Sequence, residues 1–351
     1  MNIEHNRPSP VAVDDPAVWT AATLKSKADV LLNLGEPELQ CIEQLLATSA
    51  HKPMHDLTRE DFAAPAIQEL LGKLHKALQD GPGVAVLQGI DIARFTGVAL
   101  ERLFWGLALH LGRPVVQSTR GDRIGHVRHE PSNPKNRGYQ SNRELGFHSD
   151  AFEIIGLLCL SGAASGGTTE VVSGLAVHNQ LVAENPQLLP ALYEGYPYAT
   201  AERSQSHTPV TDYRIPVFSR VGSTLSSMCV GNYMRAAAQT LGQAFPEKLD
   251  AALKAFYEIC NRKSFQLAFL LEPGEILFLN NYTTLHSRTE FQDSDTQKRH
   301  LLRLWLDVPN GRPVVPVLKA RGTDYELLYL ETDQDRQGNE RHMASRTGTT
   351  R

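Results

Sequence analysis

The chain has 351 residues, of which 41% are hydrophobic and 21% charged, the make-up of an ordinary globular protein long enough to bury a large core without covalent staples. The 35 Lys and Arg stand against 39 Asp and Glu, a formal net charge of -4, which excludes a generally basic nucleic-acid binder. The four cysteines, Cys41, Cys159, Cys229 and Cys260, lie far apart with no CxxC step. Neither a disulfide framework nor a cysteine zinc site is expected, so a metal would have to rely on His and carboxylate.

Residues 1–30 carry Glu4, Pro8, Asp14 and Asp15 and no apolar run behind a basic start, so no secretory leader is expected. No apolar stretch is long enough to span a bilayer. With unpaired cysteines, this gives the expectation of a cytoplasmic protein. Helical spacing marks Leu39–Thr48 and Ala66–Leu78, the second with Ile67, Leu70, Leu71, Leu74 and Leu78 on one face. Gly81-Pro82-Gly83 stops that helix, and Val84–Leu87 reads as a short buried strand. Val98–Leu111 predicts a third, strongly apolar helix, ended by Gly112-Arg113-Pro114. Gly121–Asn142 is polar and broken by Pro131, Pro134 and Gly138. It predicts a long surface loop of the kind that commonly carries function.

Ile154–Leu160 and Thr168–Val172 read as strands around the turn Ser165-Gly166-Gly167, Ala176–Glu184 as a short helix, and Arg214–Val221 as a strand. Glu247–Cys260 is an amphipathic helix set off by Pro246. The strands Ser264–Leu271, Glu275–Leu279 and Leu301–Val308 complete the pattern. Helices first, then mainly strands with a helical insert, predict an α+β fold with a β-core of sandwich or barrel type and not a doubly wound parallel sheet. The expected organisation is a single domain over 1–330, with a helical part at 1–80, a β-core at 83–308 and a helical insert at 233–262. A polar, flexible tail is expected at 331–351.

His148-Ser149-Asp150 follows the predicted loop. On an extended backbone residues i and i+2 share a face, so the His148 imidazole and the Asp150 carboxylate can reach one ion. Such a step also arises by chance in a chain rich in acids, and its weight comes from its surroundings. A third ligand must come from elsewhere. His286, after the strand Glu275–Leu279 and the step Asn280-Asn281-Tyr282, is the best placed. Two His and one carboxylate leave three positions open, an arrangement suited to non-haem Fe(II) and O2. Arg299 and Arg303 enter the last strand. A guanidinium fork grips both oxygens of a carboxylate, so arginines heading a core strand near a metal suggest an acidic co-substrate. His75 and His110 fall in helical patterns and read as packing or surface residues; His126, His129 and His207, in polar loops, are given no special role.

The segments Glu144–Asp150, Gly156–Leu160, Ser165–Thr169, Val177-His178-Asn179, Asn280–Arg288 and Arg299–Arg303 together resemble the Fe(II)/2-oxoglutarate dioxygenases of the taurine dioxygenase, clavaminate-synthase-like type. The resemblance runs over about Gly83–Asp307. It implies a distorted double-stranded β-helix, a jelly-roll, with iron at one mouth. It implies His148, Asp150 and His286 as the catalytic iron ligands, and Thr169 and Arg299 as partners of the distal carboxylate of 2-oxoglutarate. Arg303 matches a second arginine that contacts 2-oxoglutarate or an acidic substrate. The step from His286 to Arg299 is a little longer than the family's usual one, which reads as an insertion at Phe291–Gln297. Arg288, the rival, sits too close to His286 to project from the next strand.

The implied activity hydroxylates an unactivated C–H bond of a small molecule with O2, Fe(II) and 2-oxoglutarate, releasing succinate and CO2, with ascorbate supporting turnover in vitro. Asp150 argues against halogenation, because related halogenases replace the carboxylate with a small residue. Alternatives are a natural-product desaturase or cyclase of the same family, a zinc hydrolase on the same ligands with Glu144 or Glu153 as base, and a non-catalytic barrel. The hydrolase leaves Arg299 and Thr169 without a purpose, and the intact ligand set opposes the barrel. Tyr139, Asn142 and Asn281 are the expected substrate contacts, with Tyr213, Tyr233 and Arg235 as further candidates. The expected partner is a small molecule bearing a carboxylate, sulfonate or similar acid group. Nucleic acid and membrane are not expected, and the apolar N-terminal helices leave a homo-oligomer open.

Overall fold

Short, almost unbroken apolar runs, buried on both faces, build the centre of the structure. In the computed structural model, residues 11–95, 97–118, 120–131, 138–200 and 208–330 are described. The predicted tail at 331–351, His207 and Pro134 lie outside them. In chain order the elements are β1 (Leu31–Asn33), α1 (Glu36–Thr48), α2 (Pro65–Gln79), β2 (Val84–Gln88), α3 (Gly97–Ala108), β3 (Arg113–Pro114), β4 (Gly125–Arg128), β5 (Leu145–His148), β6 (Ile154–Ser161), β7 (Ser165–Gly166) and β8 (Thr169–Ser173). There follow α4 (Gly174–Glu184), α5 (Leu189–Glu194), β9 (Phe218–Val221), β10 (Thr224–Ser227), α6 (Gly231–Thr240), α7 (Glu247–Cys260), β11 (Gln266–Phe269), β12 (Ile276–Asn280), β13 (Thr284–Arg288), β14 (Phe291–Gln292) and β15 (His300–Asp307). A helix over 316–330 comes last among the described residues.

The larger sheet has the order β1-β2-β12-β6-β15-β3, with β4 also paired to β15, and the smaller has the order β11-β8-β13-β5. Within both sheets every pairing is antiparallel except that of β1 with β2. Successive side chains of a strand point to opposite faces, and the larger sheet uses both. On β12, Leu277 and Leu279 join one buried cluster while Ile276 and Phe278 join another. On β15, Leu301 and Trp305 face the first cluster and Leu302, Leu304 and Leu306 the second. The first cluster lies between the sheets, where it meets Val171 of β8 and Leu267 and Phe269 of β11. The second is covered by Ile42 of α1, Leu74 of α2 and Leu103 and Phe104 of α3. Val172 and Leu285, on the far side of the smaller sheet, pack under α4, α5 and α7 through Leu181, Leu192, Leu253 and Phe256. The result is the α+β jelly-roll expected of the sequence, two sheets face to face with helices on their outer surfaces.

Several local expectations are corrected. The N-terminal part is not only helical, because Leu31–Asn33 adds a parallel edge strand to β2. The predicted loop Gly121–Asn142 contains β4, which pairs with β15 and sets His126 beside His300, Nδ1 to Nε2 at 2.9 Å. Its signal was weak because Val127 alone is buried in that four-residue strand. Of the predicted strand Arg214–Val221 only Phe218–Val221 joins a ladder; Pro216 brings no N–H to one. Helix α4 starts two residues earlier than its apolar pattern suggests, because the Ser173 hydroxyl accepts from the Ala176 N–H at 3.0 Å and caps it. Helix α5 and the helix over 316–330 were not foreseen. No helix among the described residues is long and apolar enough to cross a membrane.

Phe278 is fully buried, with its ring 6.3 Å from that of Phe104. Phe278→Ala is expected to cost about 3–5 kcal/mol of stability in urea unfolding, whereas Val98→Ala, at a position 69% exposed, should change it by less than about 0.5 kcal/mol.

Candidate active site

The smaller sheet brings two distant histidines together. Strand β13 lies between β8 and β5, and His286 is the register partner of His148. Their ring centroids are 4.3 Å apart. Asp150 follows two residues after His148, with its carboxylate 4.0 Å from His148 Nε2 and 4.0 Å from His286 Nε2. One ligand-type atom from each of the three lies within 4.8 Å of the others, and no other group of three His, Cys, Asp or Glu among the described residues does so.

His148 and Asp150 are braced by hydrogen bonds, whereas the buried His286 Nδ1 has no hydrogen-bond partner. His148 Nδ1 lies 2.9 Å from the Gly146 carbonyl, which can only accept, so Nδ1 carries the proton and Nε2 the lone pair. The Asp150 backbone N–H donates to Asn281 Oδ1 at 3.1 Å, and Asn281 Nδ2 donates to the Phe152 carbonyl at 2.8 Å. Arg321 Nη1 donates to the Asp150 carbonyl at 2.8 Å, and the Trp305 indole N–H donates to Asp150 Oδ2 at 2.9 Å. Burial by itself raises the Asp150 carboxyl, but the Arg303 guanidinium and the Trp305 N–H help to outweigh it and hold the group at about 2. Burial pushes His286 down to about 3, so its imidazole is neutral. An ionised carboxylate, a neutral imidazole and a second imidazole with an inward lone pair form a donor set that suits a divalent transition metal.

Beside the triad is a small cavity of about 50 Å³ whose lining includes Thr169, His286, Arg288, Arg299 and Arg303. Arg299 is 7% exposed and its Nη1 is buried without a hydrogen-bond partner. Burial lowers its guanidinium to about 10, and the neighbouring Arg288 acts in the same direction. An unsatisfied buried cation at the head of a cavity fits an anionic oxygen. The Gly166-Gly167 turn before Thr169 has φ of 72° and 75°, which favours glycine. A Cβ at Gly166 would run into the Glu290 carbonyl, and Gly167 packs against the Arg299 side chain. This gives the Ser165–Thr169 motif a steric reason.

Arg303 lines this cavity and a second, larger one of about 600 Å³. Its Nε donates to Gln117 Oε1 at 2.7 Å, and its guanidinium lies 4.6 Å from the Tyr139 ring and 4.4 Å from the Trp305 ring. The larger cavity is walled by the His148–Ala151 segment on one side and by Tyr233, Arg235, Tyr257, Asn261, Arg321 and Tyr325 on another.

His148, Asp150, His286, Thr169, Arg299, Arg303 and Tyr139 thus come together. Two expected substrate contacts do not. Asn281 is 0% exposed and braces the backbone behind Asp150. Asn142 ties its loop to Phe291, accepting from the Phe291 N–H at 3.0 Å, and lines neither cavity. Of the further candidates, Tyr233 and Arg235 reach the larger cavity, while Tyr213 donates to Asp324 away from it. Arg321 and Tyr325 were missed. Their signal is a buried arginine within the apolar stripe Val315, Leu318, Tyr325 and Tyr329.

Trp305→Phe keeps the ring but removes the N–H donated to Asp150. It is expected to weaken Fe(II) binding by about tenfold or more, read by equilibrium metal titration, with the urea midpoint little changed.

Comparison with known proteins places this geometry. FR-33289 synthase of Streptomyces rubellomurinus is 33% identical over 266 residues, covering 73% of this chain and 78% of that protein. The taurine hydroxylase-like protein SAT17 of Stachybotrys chartarum is 29% identical, covering 83% and 79%. Among solved structures, asparagine oxygenase in complex with Fe(II), 2S,3S-3-hydroxyasparagine and succinate superposes with a TM-score of 0.63 at 20% identity, over 79% of this chain and 93% of that one; this likeness bears on the fold. The zinc-hydrolase alternative finds no support in these relatives. Glu153, one base considered for it, accepts from Gln79 Nε2 and the Arg312 N–H instead of lining either cavity beside the triad. Residues 50–305 match the taurine catabolism dioxygenase TauD, TfdA family, a span that holds both His148-Ser149-Asp150 and His286, and the chain therefore belongs to that family as a 2-oxoglutarate-dependent dioxygenase that uses Fe(II).

Proposed function

We propose that His148, Asp150 and His286 hold the Fe(II), that Arg299 and Thr169 take the distal carboxylate of 2-oxoglutarate, and that the enzyme hydroxylates a small organic acid. The observation that carries this reading is the unpartnered Arg299 Nη1, buried in the cavity that Thr169 and His286 also line. When bound, Fe(II) with 2-oxoglutarate and O2 supplies the oxidising chemistry for an unactivated C–H bond, with release of succinate and CO2.

The chain's own residues do the rest. Trp305 and Arg303 keep the Asp150 carboxylate ionised and aimed, and Gly146 fixes the His148 tautomer. Arg299 neutralises the far end of the co-substrate and sets its reach into the site. Arg303, clamped between Tyr139 and Trp305, stands where the two cavities meet, so an acid group on the substrate can meet its guanidinium. Arg321 adds positive charge to the wall of the larger cavity, where Arg235 is paired with Asp250 and Glu144 and Asp150 are the acids of the lining. Walls of Tyr and Trp exclude water from the reacting C–H bond. The hydroxylated amino acid in the asparagine oxygenase complex supports hydroxylation over desaturation or cyclisation.

His148→Ala and Asp150→Ala are each expected to abolish iron-dependent succinate release; full turnover in both would remove the triad. Arg299→Gln should raise the KM for 2-oxoglutarate by about 10–100-fold, the scale of a lost charge-assisted contact. A succinate-release screen of small carboxylates, sulfonates and phosphonates against neutral analogues, run on wild type and Arg303→Ala, tests the substrate class. The acids should turn over in the wild type and lose their advantage in the variant.

A further inference from the structure

Arg288 is a buried cation that the proposed chemistry leaves unused. It is 6% exposed, it lines the small cavity with Arg299, and its Nε has no hydrogen-bond partner. The Phe291 ring carries both guanidiniums, Arg288 at 4.7 Å and Arg299 at 5.3 Å. Neither forms an ion pair with a carboxylate among the described residues, and burial alone pulls Arg288 down to about 10. Two like charges held together out of water are unfavourable until an anion joins them.

The other edge of Arg288 points elsewhere. Its Nη1 donates to the Ser141 carbonyl at 2.9 Å and its Nη2 to the Arg143 carbonyl. Its backbone is in register with Leu145 on β5 and with Thr169 on β8. The segment it grips carries Tyr139, whose ring packs on Arg303 and lines both cavities.

We propose that Arg288 is a positioning residue that couples the co-substrate pocket to the wall of the substrate cavity: its fork holds the 138–145 segment by the Ser141 and Arg143 carbonyls, and an anion between Arg288 and Arg299 tightens that hold. The proposal rests on the reading that Arg299 takes the 2-oxoglutarate carboxylate. Coupling of this kind is reciprocal, so a substrate that orders the 138–145 segment raises the affinity for 2-oxoglutarate, and the co-substrate prepares the wall for the substrate.

Anaerobic amide hydrogen exchange on the full chain with Fe(II), with and without 2-oxoglutarate, tests this. An absorbance titration of the same samples reports co-substrate binding. In the wild type, 2-oxoglutarate is expected to slow exchange across 138–147 by about fivefold or more and to leave α7 unchanged. In Arg288→Gln that slowing is lost, while the absorbance band still forms with half-saturation raised about tenfold. Arg288→Lys keeps the charge without the two-pronged grip; it recovers affinity but not the slowing. Slowing of wild-type size in either variant, or none in the wild type, overturns the role of Arg288. Absence of the absorbance band in the wild type overturns the Arg299 reading instead. Should the Gln variant fail to fold, the Lys variant decides.

Discussion

The register between β13 and β5 is the constraint on which the site depends. Residues directly opposite in an antiparallel pair hold their Cβ atoms about 4.5–5.5 Å apart, and this is what brings His286 and His148, remote in sequence, to one carboxylate. A slip by one residue would turn His286 to the other face and present Leu285 or Ser287 in its place. The ladder shifts register between His286 and Arg288, and such irregularities re-aim side chains and pin pairing. The opposite side of β13 is fixed by β8, which sets Arg288 against Thr169.

Strand β15 makes the complementary contribution from the larger sheet. Leu301, Arg303 and Trp305 are spaced by two on β15, and Arg299 stands just before it, so this strand and its approach carry the cation proposed for the co-substrate, the cation at the junction of the cavities and the indole that steadies Asp150. The intervening Leu302, Leu304 and Leu306 anchor the strand against the helical layer. The inner face therefore carries buried charge that apolar residues would replace at a gain in stability. The apolar clusters on both sides of the larger sheet offset that cost and hold the charges still.

Much of this was legible in the sequence. The His148–Asp150 spacing follows from period two on an extended backbone, β6 and β12 from short unbroken apolar runs, and the place of Arg303 from the strand read at Leu301–Val308. The third ligand was not legible from spacing alone; His286 gained its meaning from the family pattern around it. The asparagines show where sequence reading fails. An amide can face a cavity or cap a backbone, and nothing in the residue type tells which, so Asn281 and Asn142 were placed in the pocket when they brace its frame. Arg321 was overlooked for the converse reason: a single arginine within an apolar helical stripe looks like an interruption, yet here its hydrogen bonds to the Asp150 carbonyl and Met228 absorb it.

The order of strands in the larger sheet sets the schedule on which this protein can be made. Strand β2 pairs with β12 and β6 pairs with both β12 and β15, so the middle of the sheet is assembled from both ends of the chain. A ribosome adding about 5–20 residues per second keeps β6 without its neighbours for on the order of ten seconds or more. During that interval the apolar run Ile154–Leu160 has no ladder to join, and it is a template for pairing with other chains. The long-range closure that unites the triad is thus complete only when β15, the last described strand, has joined β6.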